Sequence, residues 1–283
     1  MTFVGFFRND KGVSARGQAF HFDLTQEEHD KLVLQYQEKR QQSNDNNQQQ
    51  SSSSSPSLEY TMNRMLTDEI RVWNVGVAPP RTENITVVNQ LGTNASINGR
   101  TFDWNAIHES THKHYCYRIC AGPVMDPIHR FQRWHVPADG IVVNTTLLSQ
   151  TLSHFEGTHD FRPFAGSMEQ LEKSAGRRVS AVRTVYKCQL IDESEKYRRE
   201  GYFRIDIVLS GALYKMVRNM VGTAIDVSRG KLSEDQFLQL LDNGKGDDDD
   251  DDSPQLGRKN NKSKPAPPEG LTLEQVFYDD ETF

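Results

Sequence analysis

Residues 202–228 change their hydrophobic period once, and that switch limits what the chain can fold into. In "YFRIDIVL" the side chains of Phe203, Ile205, Ile207 and Leu209 alternate with polar residues or Val208, the period-two pattern of a half-buried strand. From Leu213 onward Met216, Val217, Met220, Val221, Ala224 and Ile225 recur at helical spacing, and Gly230 ends the run. A strand feeding a helix with a broad apolar face needs a second layer to cover both.

The rest of the chain adds elements of both kinds. Strands are expected at Thr2–Phe7, His21–Leu24, Ile70–Val77, His114–Cys120 and Val179–Ile191. Thr25 and Glu28 form a capping box that opens a helix to about Arg40. A second helix is expected over Ser57–Leu66. Asn144 caps another, with Leu147, Leu148, Leu152 and Phe155 on one face, and Ser233 with Gln236 caps a last one through Leu241. Because strands and helices mix without strict alternation, the class is α+β.

A mean hydropathy of -0.71 is low for such a fold. The polar excess is concentrated in residues 41–57, which are nearly all Gln, Asn and Ser, and in residues 243–265, which contain six consecutive aspartates. Neither can bury enough apolar surface to offset the entropy of ordering it, so both are expected to be disordered insertions. Residues 81–100 read as a loop. The aspartate run also accounts for the formal net charge of -6, because the other 33 acidic residues balance 33 basic ones. A nucleic-acid ligand is therefore not excluded by charge. Three cysteines at irregular spacing fit a reducing, intracellular setting. No apolar run is long enough to cross a bilayer, and no signal peptide is evident.

His108-Glu109-Ser110-Thr111-His112 matches the H-E-x-x-H pattern of zinc peptidases. That pattern binds metal because i and i+4 lie on one face of a helix. Here it runs straight into "YCYRIC", which reads as a strand, and nothing marks a third ligand. The expectation is a chance match with no metal.

Read from the strand side, "STHKHYCYRI" resembles the R-x-Y-x-Y-x-I strand of the TruA family of tRNA pseudouridine synthases. Other family motifs follow in order: "FRNDKGVSARGQAFHFD" at Phe7–Asp23, "MDPIHRFQRWHV" at Met125–Val136 and "FEGTHDFRPF" at Phe155–Phe164. They continue with "VRTV" at Val182–Val185, "LYKMVRNMVGT" at Leu213–Thr223 and "APPEGLTL" at Ala266–Leu273. The resemblance implies the pseudouridine synthase fold: two ferredoxin-like α+β halves with mixed or antiparallel sheets flanking an RNA-binding cleft. The halves are expected at residues 1–104 and 105–283. It further implies isomerisation of uridine in tRNA, especially in the anticodon stem-loop, with no metal or cofactor. Bacterial members act as homodimers, so a homodimer is implied here too.

The same resemblance assigns roles. Asp10 occupies the position of the catalytic aspartate, a carboxylate suited to trapping or stabilising an electron-poor sugar. Arg218 would be its fixed cation, held by bidentate hydrogen bonds that lysine cannot match. Tyr115 would stack on the target base and help remove its C5 proton; Tyr117 lies on the same face, and only the family pattern selects Tyr115. Arg8 would occupy the space left by the extruded nucleotide. Arg16, Lys113, Arg130, Arg133, Arg177 and Arg178 are candidates for the tRNA backbone.

The pattern is broken in two places. Phe7 stands where the family has glycine, and Asn9 where it has threonine. Family members also carry a strand and a helix ahead of this signature, so the sequence reads as a fragment. The competing expectation is a non-catalytic RNA-binding relative.

Overall fold

A computed structural model describes residues 9–28, 30, 58–76, 105–107, 109–136, 139–242 and 256–278, and the backbone of residues 2–6. The chain divides into two compact units. Among the described residues the first holds 2–6, 20–28, 30, 58–76 and 105–106, and the second holds the remainder. Residues 9–19, on the N-terminal side of the expected 104/105 division, are part of the second unit.

In the first unit β1 (Thr2–Phe6) pairs antiparallel with β3 (Phe20–Asp23), with a register shift between Phe3 and Gly5. The capping box forms as expected: the Thr25 amide donates to Glu28 Oε2 at 2.9 Å, and the Glu28 amide returns to Thr25 Oγ1 at 3.3 Å. Residues beyond 30 in that expected helix lie outside the described residues. Helix α1 spans Leu58–Met65. The strand expected at Ile70–Val77 does not form over residues 70–76, which are irregular. Asn74 takes a left-handed φ of 58°, and both ends of the Asn63 amide bond the backbone of Val72. That side chain satisfies the main-chain groups a neighbouring strand would otherwise take.

The second unit is built on a seven-stranded mixed sheet. Its strands are β2 (Ser14–Ala15), β4 (His112–Cys120), β5 (Trp134–His135), β6 (Gly157–Asp160), β7 (Val182–Asp192), β8 (Tyr202–Leu209) and β9 (Leu271–Phe277), ordered β2-β9-β4-β8-β7-β6 with β5 also on β4. Among the described strands of this sheet, only the β2–β9 and β4–β5 pairings are parallel. Tyr115 pairs with Ile207 and Leu273, and Tyr117 with Ile205 and Leu271. One face of these central strands is therefore apolar. On the other face Cys116 lies opposite Asp206 and Thr272, and Arg118 bonds Glu274 at 2.8 Å and Thr272 at 3.2 Å.

The apolar face is covered by helices α2 (Thr145–Ser153), α5 (Met216–Ser228) and α6 (Glu234–Leu241), all in one core with β4, β7, β8 and β9. Phe155, Phe161, Phe164 and Phe237 meet ring to ring between them. Two further short helices, α3 (Met168–Ala175) and α4 (Ser194–Tyr197), lie in connections. Helix α5 begins at Met216 rather than at Leu213, because Lys215 sits at φ 58° and stops the helical path. Arg218 is one of the few residues of α5 that is not buried.

The expected insertion at 41–57, the 81–100 loop and residues 243–255 lie outside the described residues. Residues 256–265 are a correction: they pack. Asn261 is buried against Thr223, its Nδ2 donating to Oγ1 at 3.0 Å, and Arg258 donates to the Ser263 carbonyl at 2.6 Å. Composition hid this because much of the segment is held by polar contacts, among them Asn261 on Thr223 of α5, with Leu256 packed on the core.

Candidate active site

The Asp10 loop is a tight turn closed by the Val13 amide on the Asp10 carbonyl at 3.1 Å. Gly12 within it has φ +85°, a conformation that glycine adopts without penalty. Asn9 Nδ2 donates to Gln18 Oε1 at 2.9 Å, tying the two ends of the loop. Asparagine in place of threonine thus keeps a structural role here. After the turn, β2 pairs with Thr272 and Leu273 of β9, and the amides of Arg16 and Gly17 both donate to the Leu273 carbonyl.

Arg218 reaches this loop from α5. Its Nη1 donates to Asp10 Oδ2 at 2.8 Å, across a sequence separation of 208. Its Nε donates to the Ala266 carbonyl at 2.7 Å, and the Ala266 amide donates back to the Arg218 carbonyl at 2.9 Å. Both charged side chains are largely covered, with relative exposures of 13% and 16%. The expected bidentate clamp is corrected in detail: the guanidinium bonds one carboxylate oxygen and one main-chain carbonyl. This leaves Asp10 an oxygen free of Arg218.

Tyr115 lies on β4 facing the same site. Burial pushes its hydroxyl well above the usual tyrosine range, and the nearby charge of Asp10 pushes it the same way. The side chain therefore stays protonated at physiological pH and acts as a hydroxyl. Tyr117, on the same face, is fully buried, and its hydroxyl is committed to the backbone, donating to the Pro267 carbonyl at 2.6 Å. Asn219, next to Arg218, is buried and donates to the Phe164 carbonyl at 2.6 Å. It anchors the "HDFRPF" segment to α5, a role that sequence reasoning does not assign. The Ala266 and Pro267 carbonyls escape it too, since main-chain acceptors carry no residue signature.

The candidate phosphate contacts separate. Arg16, Arg130, Arg177 and Arg178 are exposed. Arg16 is 3.6 Å from Glu274, and the Arg130 guanidinium lies over the Phe131 ring at 4.2 Å. Lys113 is buried, and desolvation followed by the charge of Arg183 pulls its ammonium down to about 8. Arg133 is a correction. It is 2% exposed, donates to Glu193 at 2.8 Å and bonds the Ile119 and Phe203 carbonyls. It stands over the Tyr202 ring as well. Its charge is neutralised inside the fold and does not face a phosphate. Arg8 lies outside the described residues.

His108 is also outside them, but residues 109–111 are not helical and His112 opens β4, stacked on Phe277 at 4.2 Å. The i, i+4 geometry that the zinc pattern requires is not formed by this strand. Among the described residues no group of three or more His, Cys, Asp or Glu side chains is placed to hold a metal ion. No described helix is long and apolar enough to cross a membrane.

The geometry is thus a carboxylate, a guanidinium and a phenol brought together from three distant segments. Comparison with known proteins points in the same direction. A family model described as tRNA pseudouridine synthase matches residues 152–279. The tRNA pseudouridine synthase A 1 of Protochlamydia amoebophila (strain UWE25) is 28% identical over 283 residues, covering 99% of this chain and 81% of that protein. The Akkermansia muciniphila tRNA pseudouridine synthase A is 29% identical over 64% of this chain and 60% of its own length. That of Streptococcus mutans is 25% identical over 96% of this chain and 80% of its own. The motifs, the mixed α+β sheet and these matches agree: the chain is similar to the TruA family of tRNA pseudouridine synthases.

Proposed function

We propose that this chain isomerises uridine to pseudouridine in tRNA, acting at the anticodon stem-loop with Asp10 as its catalytic carboxylate. The observation that carries the reading is the 2.8 Å Asp10–Arg218 contact in a partly buried site beside Tyr115. The similarity to tRNA pseudouridine synthases given above supports the reaction type.

The reaction breaks the C1′–N1 bond, turns the uracil, joins C5 to C1′, releases the C5 proton and protonates N1. The sugar becomes electron-poor when N1 leaves. Asp10 answers that charge with its unclamped oxygen, by adding to C1′ or by taking the C2′ proton. Arg218 holds the carboxylate in place and aims it. Tyr115, protonated, stacks on the base and hands its hydroxyl to the C5 proton transfer that restores aromaticity. Arg8 fills the space of the extruded nucleotide, and Arg16, Arg130, Arg177 and Arg178 offer exposed cations to the backbone. The same similarity makes a homodimer the expected assembly, which light scattering on the purified protein tests.

Tritium release from tRNA labelled at uracil C5 is the test. The full-length protein releases tritium, whereas Asp10→Asn loses at least about a thousandfold in rate while holding tRNA within about threefold. A protein that binds tRNA yet releases nothing is the non-catalytic relative, and the catalytic reading falls.

A further inference from the structure

Asp10 and Arg218 come from segments 208 positions apart, and an arginine stem is flexible enough to miss a carboxylate by several ångströms. Something must set their relative place. Both partners rest on one segment, residues 266–273. At its start Ala266 exchanges two hydrogen bonds with Arg218, its carbonyl accepting from Nε at 2.7 Å and its amide donating to the Arg218 carbonyl at 2.9 Å. This fixes the plane of the guanidinium. One helical turn later a Cβ on Gly222 would stand 3.0 Å from the Ala266 amide nitrogen and 2.1 Å from the Lys264 carbonyl oxygen just ahead of the segment, so glycine is what lets the chain lie against α5 here. At its other end Thr272 and Leu273 pair with β2, just beyond the Asp10 turn. Between the two, Pro268 Cγ is 3.1 Å from the Cβ position of Gly12.

We propose that residues 266–273 are the template that sets the ion pair in register, and that Tyr117 is the positioning residue that pins this template at its middle. The inference rests on the reading of Asp10 as the catalytic carboxylate. Tyr117 Oη donates to the Pro267 carbonyl at 2.6 Å, one residue past the Arg218 contact. Its ring occupies the space opposite Gly270, where a Cβ would come within 2.7 Å of the ring carbons. The residue is fully buried, so it acts through Arg218 and not on substrate. A hydroxyl at this point controls both the height of the 266–267 peptide and, through it, the aim of Nη1. Catalytic geometry is sensitive on this scale, a displacement of about 1 Å costing about a hundredfold in rate.

Tyr117→Phe removes the pin and little else. Single-turnover tritium release is expected to slow by about tenfold or more, with the KM for tRNA unchanged within about twofold. In an Arg218→Lys background, where the Nε bond to Ala266 is already lost, the same substitution should slow release by less than about twofold. Equal losses in both backgrounds overturn the proposal, because Tyr117 would then act by another route. A Tyr117→Phe rate equal to wild type, with Asp10→Asn inactive, also overturns it but leaves the catalytic reading intact. An active Asp10→Asn removes that reading itself. Should Tyr117→Phe fail to fold, Gly12→Ala at the exposed turn probes the other end: a lower rate with unchanged circular dichroism is expected, and an unchanged rate overturns the template.

Discussion

Arg218 divides its guanidinium between a carboxylate and a main-chain carbonyl, and a lysine has only one head to offer either. Arg218→Lys is therefore expected to lower the turnover rate by about a hundredfold with tRNA affinity nearly unchanged, measured by single-turnover release. Lys113 carries a different prediction. Its folded value of about 8 lies below the ordinary 10.5, so the folded state binds this proton more weakly than the unfolded chain does. The resulting cost is fully present below about pH 8 and disappears as pH rises towards the unfolded value. Lys113→Met should raise unfolding free energy at pH 7 by on the order of 2 kcal/mol, with the difference from wild type shrinking at pH 9.5 in urea titrations. The reading of motifs named Asp10, Tyr115 and Arg218 together, and the fold brings these three to one place. That reading failed at Arg133, since nothing local tells an arginine over phosphate from one buried on Glu193, whose position depends on a segment sixty residues away.

Elements were legible where a local rule sufficed. The Asn144 cap accepts from the Leu147 amide at 3.0 Å, and Ser233 with Gln236 closes a full capping box. Asn144→Ala should destabilise the protein by about 1 kcal/mol, visible as a lower thermal midpoint, with no change in tritium release per folded molecule. By contrast β9, two residues of β2 and the whole of α3 were not anticipated as elements. β2 is a strand only because Thr272 and Leu273 lie beside it, and so short a segment has no period of its own. The Ile70–Val77 expectation failed because alternation alone does not provide a partner strand. Arg133 and Glu193 join β4, β5 and β8 at a buried point. Removing one partner strands the other: Arg133→Ala is expected to cost about 3–5 kcal/mol by urea unfolding, with the salt slope of tRNA binding unaltered, as fits a cation that touches no phosphate.

At the level of the whole molecule, charge is unevenly distributed along the chain. Replacing the aspartates at positions 247–252 by asparagine brings the formal net charge from -6 to zero. Filter binding should then show tRNA held several-fold more tightly at about 50 mM salt, with the gain lost by about 300 mM as screening shortens the reach of charge. The order of motifs made the α+β class and the reaction type readable before any coordinates. The pairing of β2 with β9 was not, because it joins segments far apart in sequence that share no local pattern. That pairing has a kinetic meaning during synthesis. The turn bearing Asp10 leaves the ribosome long before the strand it lies against has been translated. With Asp10 acting as proposed, a nascent chain is expected to be inert towards tRNA until that strand has emerged and paired with β2.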